Sequence, residues 1–201
     1  MTKSVLIAIA VTSVVTIGPV DAAGQSSSGV KVGAAGARVA ARGPAGFDSN
    51  ADLGAALGGF IAFSLSDTLR IQPEVLFTLR RFKSADLPEN LQVRSRVIEI
   101  PVLLSKRWRT SHRMQPVFFA GPQLNVIARV RQTYGDLQSD VTSNIRRLDL
   151  CVTAGGGYEV PLGVGAAIME ARVHVGFRDL SKDTDTAMNS RGFLILFGYR
   201  F

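Results

Sequence analysis

The chain has 201 residues, is 46% hydrophobic with 20 glycines, and carries a formal net charge of +7. Past its N-terminal segment no apolar run approaches the roughly 18 residues that a membrane-crossing helix needs. A single cysteine, Cys151, excludes an intrachain disulfide framework.

The first predicted element is a leader. Lys3 is followed by an apolar run from Val5 to Ile17, by the helix-breaking pair Gly18-Pro19, and by a small-residue site at Val20-Asp21-Ala22. That layout predicts a secretory signal peptide over 1–22, cleaved near Ala22 or Ala23. The competing reading is an uncleaved anchor helix, for which the run falls short of about 20 residues. Residues 23–28, ending in the serines Ser26 to Ser28, read as a short free leader on the exported chain, and 29–201 as one domain.

About eight strand-like stretches follow. The first two, near 29–39 and 53–65, are rich in Gly and Ala, which leaves their facing open. The third, "LRIQPEVLFTLRRF", sets Leu69, Ile71, Pro73, Val75, Phe77 and Leu79 against Arg70, Gln72, Glu74, Leu76, Thr78 and Arg80. The fourth sets Ile98, Ile100, Val102 and Leu104 against Glu99, Pro101 and Ser105. The fifth sets Phe118, Ala120, Leu124, Val126 and Ala128 against Gln115, Phe119, Gln123, Asn125, Arg129 and Arg131. The sixth and seventh carry Asp149, Cys151, Glu159, Glu170, Arg172 and His174 on one face and Leu150, Val152, Met169, Val173 and Val175 on the other. The last, "GFLILFGYRF", puts Phe193, Ile195, Phe197, Tyr199 and Phe201 at alternate positions. Side chains alternating this cleanly mark strands with one apolar and one polar face.

The connections alternate long and short, and the long polar ones fall on one side, as in a barrel with long extracellular loops and short periplasmic turns. The expected fold is therefore all-β: an eight-stranded, antiparallel, up-and-down transmembrane β-barrel. The strands, about 10 residues or more, are long enough to cross a bilayer at a tilt, and closure leaves no unpaired backbone in hydrocarbon.

Four pieces in order, "QPEVLF", "VIEIPVLLSKRW", "FFAGPQLNVI" and the terminal "FGYRF", with an early "GVKVG", resemble the PorT-like family of outer-membrane β-barrel proteins. The resemblance covers nearly all of the exported chain and implies an eight-stranded barrel in a bacterial outer membrane, without implying one shared activity. It also implies that Phe197, Tyr199 and Phe201 form the terminal signal read by the outer-membrane barrel assembly machinery. Aromatic rings there suit the membrane interface.

An eight-stranded barrel is just wide enough for side chains to fill it. The predicted lumen carries Arg70, Glu74, Glu99, Arg129, Asp149, Glu159, Glu170, Arg172 and His174. Both charge signs are present, so pairing across the lumen is expected, since buried charge is tolerated only when paired. The alternatives are a small porin-like channel for ions or small solutes and a lipid-modifying enzyme. Catalysis needs a nucleophile within reach of a base. His112 falls in a turn and His174 stands in no recognisable motif, so the protein is expected not to be an enzyme. A soluble lipocalin-like barrel is a further alternative, which would need its apolar faces turned inward. No metal or other cofactor is indicated, because Cys151 has no ligand at metal spacing and "GGGYEV" precedes no phosphate-binding helix.

An exported barrel meets no nucleic acid, so the basic charge calls for another partner. Arg80, Arg81, Lys83, Arg94, Arg96 and Arg131 fall near the predicted outer rim. Lipopolysaccharide carries phosphates at that level, and guanidinium pairs well with phosphate. Outer-membrane lipid and lipopolysaccharide are the expected partners of a monomer whose role is structural or surface-binding.

Overall fold

The computed structural model of the chain describes residues 26–42, 49–84, 91–134, 137–140, 147–177 and 187–201. The predicted signal peptide, 1–22, lies outside them. Strands β1 (Ser26–Arg42), β2 (Ser49–Ser64), β3 (Leu69–Ser84), β4 (Leu91–Arg107), β5 (Gln115–Tyr134), β7 (Leu148–Leu162), β8 (Gly165–Gly176) and β9 (Ala187–Arg200) form the barrel, and the short β6 (Leu137–Asp140) pairs back onto β5. The sheet runs β4-β3-β2-β1-β9-β8-β7-β5 and closes through β4–β5, every pairing antiparallel. Ser26 to Ser28, assigned to a free leader above, belong to β1, where they pair with Phe63, Ala62 and Ile61.

Turns 65–68, 108–114 and 163–164 lie at one end together with Ser26 and Phe201. Strands of 12 to 20 residues exceed the ~10 that a tilted crossing needs. The β7–β8 hairpin closes in two residues, with Leu162 paired to Gly165 and Gly163 at φ 61°, the left-handed value that primed turns demand. On β2–β3, Ser66 Oγ accepts from Leu69 N at 3.1 Å and holds the four-residue bend.

Alternation sorts the side chains as the pattern predicts on β3, β4, β7 and β8. Val75, Val102, Leu150 and Val173 face out, and Glu74, Glu99, Asp149 and Arg172 face in. The interior is not purely polar. Ala35, Ala56, Leu76, Leu194 and Leu196 form one apolar cluster inside, and Leu103, Val117 and Phe119 another. A barrel this narrow is a packed core, so apolar side chains fill the space between its charges.

A bulge breaks the alternation once with consequence. The β4–β5 register moves from Arg96↔Arg129 to Val97↔Ile127, so Ala128 is the extra residue on β5. Below it Phe119, Gln123, Asn125 and Ile127 point inward; above it Val130 does. An inserted residue flips every later side chain to the opposite face.

Candidate functional site

Within the lumen the charges form layers. In the central layer, Lys31 of β1, only 1% exposed, places Nζ 2.8 Å from Glu74 Oε1 and 3.0 Å from Glu170 Oε2. Arg172 reaches the same two carboxylates, donating to Glu74 at 2.7 and 2.9 Å and to Glu170 Oε2 at 3.1 Å from Nε. Two cations and two anions thus share one neutral cluster. Phe60 caps it at 4.6 Å from Lys31 Nζ, and Phe119 lies 5.0 Å from the Arg172 guanidinium.

Above it, on the side of the long connections, Arg80 pairs with Glu99, and Gln123 Nε2 donates to Glu99 Oε2 at 3.0 Å. Arg80 Nη2 also lies 3.1 Å from His174 Nε2. A guanidinium only donates, so Nε2 accepts and the ring proton sits on Nδ1. His174 stands against Gly192, where a Cβ would collide with the ring. Gly192→Val is expected to expel the imidazole and cost roughly 1–3 kcal/mol by overpacking, read as a lower urea midpoint. Beside this pair, Asp149 accepts from Ser190 Oγ at 2.6 Å, and Cys151 lies between Asn125 and Asp149. Below the centre, Glu159 takes Arg70 at 2.9 Å and Arg200 at 3.1 Å.

The outer face is apolar through the middle of the strands, where Val32, Leu57, Phe77, Leu104, Val152 and Ile195 all stand exposed. At the end that carries the short turns an aromatic group gathers. Trp108 meets Phe118 edge-on at 6.1 Å, Tyr199 meets Phe201 at 5.3 Å, and the Tyr199 hydroxyl donates to Leu162 O at 2.9 Å. Phe197 lies on the same outer face of β9.

At the opposite end arginines line up across neighbouring strands. Arg81 of β3 pairs in register with Arg94 of β4, and Arg94 with Arg131 of β5. Asp52 of β2 and Asp140 of β6 flank this row. Two residues nearer the apolar belt, Arg96 stands opposite Arg129. Together with Leu79 and Thr133 these arginines border a recess of about 220 Å³. Like charges placed directly opposite one another destabilise a sheet, so such rows favour an anion between them.

A family model described as outer membrane protein beta-barrel domain matches residues 22–182. The chain belongs to this family. No curated protein matches its sequence. Among solved structures it is similar to Neisserial surface protein A, at 17% identity, with 88% of this chain and 97% of that one covered and a TM-score of 0.52. It is likewise similar to the outer membrane protein OprG from Pseudomonas aeruginosa, at 12% identity, with 89% and 97% covered and a TM-score of 0.51. At such identities the likeness shows a shared fold.

An outer-membrane barrel keeps its short turns in the periplasm and its longer connections outside. The arginine rows therefore lie at the extracellular margin of the apolar belt, and the aromatic group at the periplasmic one. Of the residues expected in the lumen, Arg70, Glu74, Glu99, Asp149, Glu159, Glu170, Arg172 and His174 stand there. Arg129 does not: the bulge at Ala128 turns it outward, 43% exposed, where its Nε lies 2.9 Å from Asp140 Oδ2. Arg80, expected at the rim, is instead buried in the lumen with Glu99, because it shares the parity of Glu74 and Thr78 on β3. Arg81, Arg94, Arg96 and Arg131 stand on the outer margin, and the side chain of Lys83 lies outside the described residues. Lys31 escaped the sequence reading altogether. Its signal was the alternation Val30-Lys31-Val32 inside an otherwise featureless Gly/Ala strand.

Proposed function

We propose that this outer-membrane barrel is a surface-binding protein, closed through its lumen, whose extracellular margin holds the phosphates of lipopolysaccharide. The observation that carries the reading is the row Arg81–Arg94–Arg131, with Arg96 opposite Arg129 beside it. Arg94 has an arginine on each side, and a phosphate group between them would convert repulsion into charge-assisted hydrogen bonds. The position also fits, since the rows begin where the apolar belt ends at Leu79 and Ile98.

A closed lumen is supported by the paired layers Arg80–Glu99, Lys31–Glu74–Arg172–Glu170 and Arg70–Glu159, which occupy the axis with buried side chains. A non-enzymatic role is supported by His174, whose Nε2 meets a guanidinium rather than a hydroxyl or thiol. Export by a signal peptide over 1–22, a PorT-like subfamily, a monomeric state, and recognition of Phe197, Tyr199 and Phe201 by the barrel assembly machinery complete the reading.

The test compares lipid A with its dephosphorylated form. The folded barrel is expected to bind the phosphorylated lipid at least tenfold more tightly, since one charge-assisted pair contributes about 1.5–3 kcal/mol. Equal affinity for the two would overturn the proposal.

A further inference from the structure

The periplasmic mouth holds a second basic site. A cavity of about 910 Å³ opens there between β1, the β2–β3 turn, and the ends of β4 and β9. Arg70, Arg107 and Arg200 converge on it from three strands. One carboxylate, Glu159, answers two of them: it accepts from Arg70 at 2.9 Å and lies 3.1 Å from Arg200. Among the described residues no carboxylate lies within ion-pair distance of Arg107. Its Nη2 donates to the Asp67 backbone oxygen at 2.9 Å, and its buried Nε has no partner among the described residues. Asp67 spends its own charge on Arg109, at 3.5 Å and with both side chains largely exposed, a contact of small value.

The wall thus carries four guanidiniums, Arg70, Arg107, Arg109 and Arg200, against the carboxylate of Asp67, with Glu159 behind Arg70 and Arg200. The hydroxyls of Ser26, Ser27, Ser64 and Ser66 lie around the same opening. Four cations against the two carboxylates of Asp67 and Glu159 leave an excess of two positive charges in a recess with partly buried walls. A doubly charged oxyanion matches that excess, and the planar fork of arginine matches its oxygens.

We infer that this vestibule is a periplasmic binding site for a phosphate group. The group arrives either as a free phosphate ester or as the headgroup of an inner-leaflet lipid. The site is independent of the extracellular arginine rows, at the other end of the barrel.

Pyrophosphate titrated into the folded full chain in zwitterionic detergent is expected to give a saturable heat change in calorimetry. Arg107→Gln is expected to weaken binding roughly tenfold. Arg107→Lys, which keeps the charge and loses the fork, is expected to weaken it several-fold, which covers the case of a misfolded glutamine variant. Glu159→Gln, by removing the internal competitor, tightens it. Arg191→Gln, exposed at the far end of β9, leaves it unchanged. In nanodiscs, competition by phosphatidylglycerol assigns the site to a lipid headgroup, and the absence of competition assigns it to free phosphate esters. The inference is overturned if no saturable change occurs, or if Arg107→Gln and Arg107→Lys bind as the parent does.

Discussion

Glu74→Ala is expected to destabilise the barrel by about 3–5 kcal/mol, the loss that follows when one partner of a buried ion pair is removed. Glu74 is 2% exposed and receives Lys31, Arg172 and Gln72, the last at 2.6 Å. Without it, Glu170 alone faces two buried cations. The loss comes mainly from that stranded charge, so a compensating change recovers part of it. Lys31→Met combined with Glu74→Gln leaves Arg172 and Glu170 as a neutral pair and is expected to be more stable than Glu74→Ala. Urea unfolding in lipid vesicles measures all three. A loss for Glu74→Ala no larger than the ~1 kcal/mol of a surface pair would mean that the central layer is hydrated rather than packed. Planar-bilayer recording is the matching functional readout: the parent protein is expected to show no steady conductance.

The neighbouring residue tests the other face. Val75 is 55% exposed and sits near the middle of the apolar outer run of β3, from Leu69 to Leu79. Val75→Lys is expected to cost about 2–4 kcal/mol in a bilayer, the depth-dependent penalty for a cation on the lipid face of a barrel. On a protein bathed in water the same substitution at so exposed a position would change stability by less than about 0.5 kcal/mol. Because Glu74 and Val75 are adjacent, the pair separates the two environments: the strand crosses lipid on one side and packs against the ion cluster on the other.

How much of this was legible in the sequence depended on how strongly each strand alternates. On β3 and β8 the large apolar and the charged residues differ so much that period-two reading assigns both faces. On β1 and β2, glycine and alanine stand on both faces, and the contrast disappears. Lys31 was overlooked for that reason, although it is the cation around which the central layer is built. The bulge at Ala128 had no sequence signal of its own. It depends on how β4 and β5 register, and it moved Arg129 from the lumen to the arginine rows. Arg80 shows the reverse. Nearness to the loops suggested the rim, while the parity of its strand, readable throughout, put it inside. The periplasmic vestibule lay beyond sequence reasoning, because Arg70, Arg107 and Arg200 are brought together only by closure of the barrel.

The extracellular rows differ from the lumen in a way that bears on function. Inside, every cation of the central layer meets a carboxylate within 3.0 Å. Outside, Arg94 has arginines in register on both sides. A fold that neutralises charge so thoroughly in its lumen leaves it concentrated at the margin where we propose that lipopolysaccharide phosphates bind. The decisive measurement is the amount of lipopolysaccharide retained per barrel after purification from outer membranes. The parent is compared with a variant carrying Arg81→Gln, Arg94→Gln, Arg96→Gln and Arg131→Gln. The account predicts that the variant folds, shown by an unchanged heat-dependent gel shift, and loses most of its bound lipopolysaccharide. Equal retention by the two proteins would contradict it.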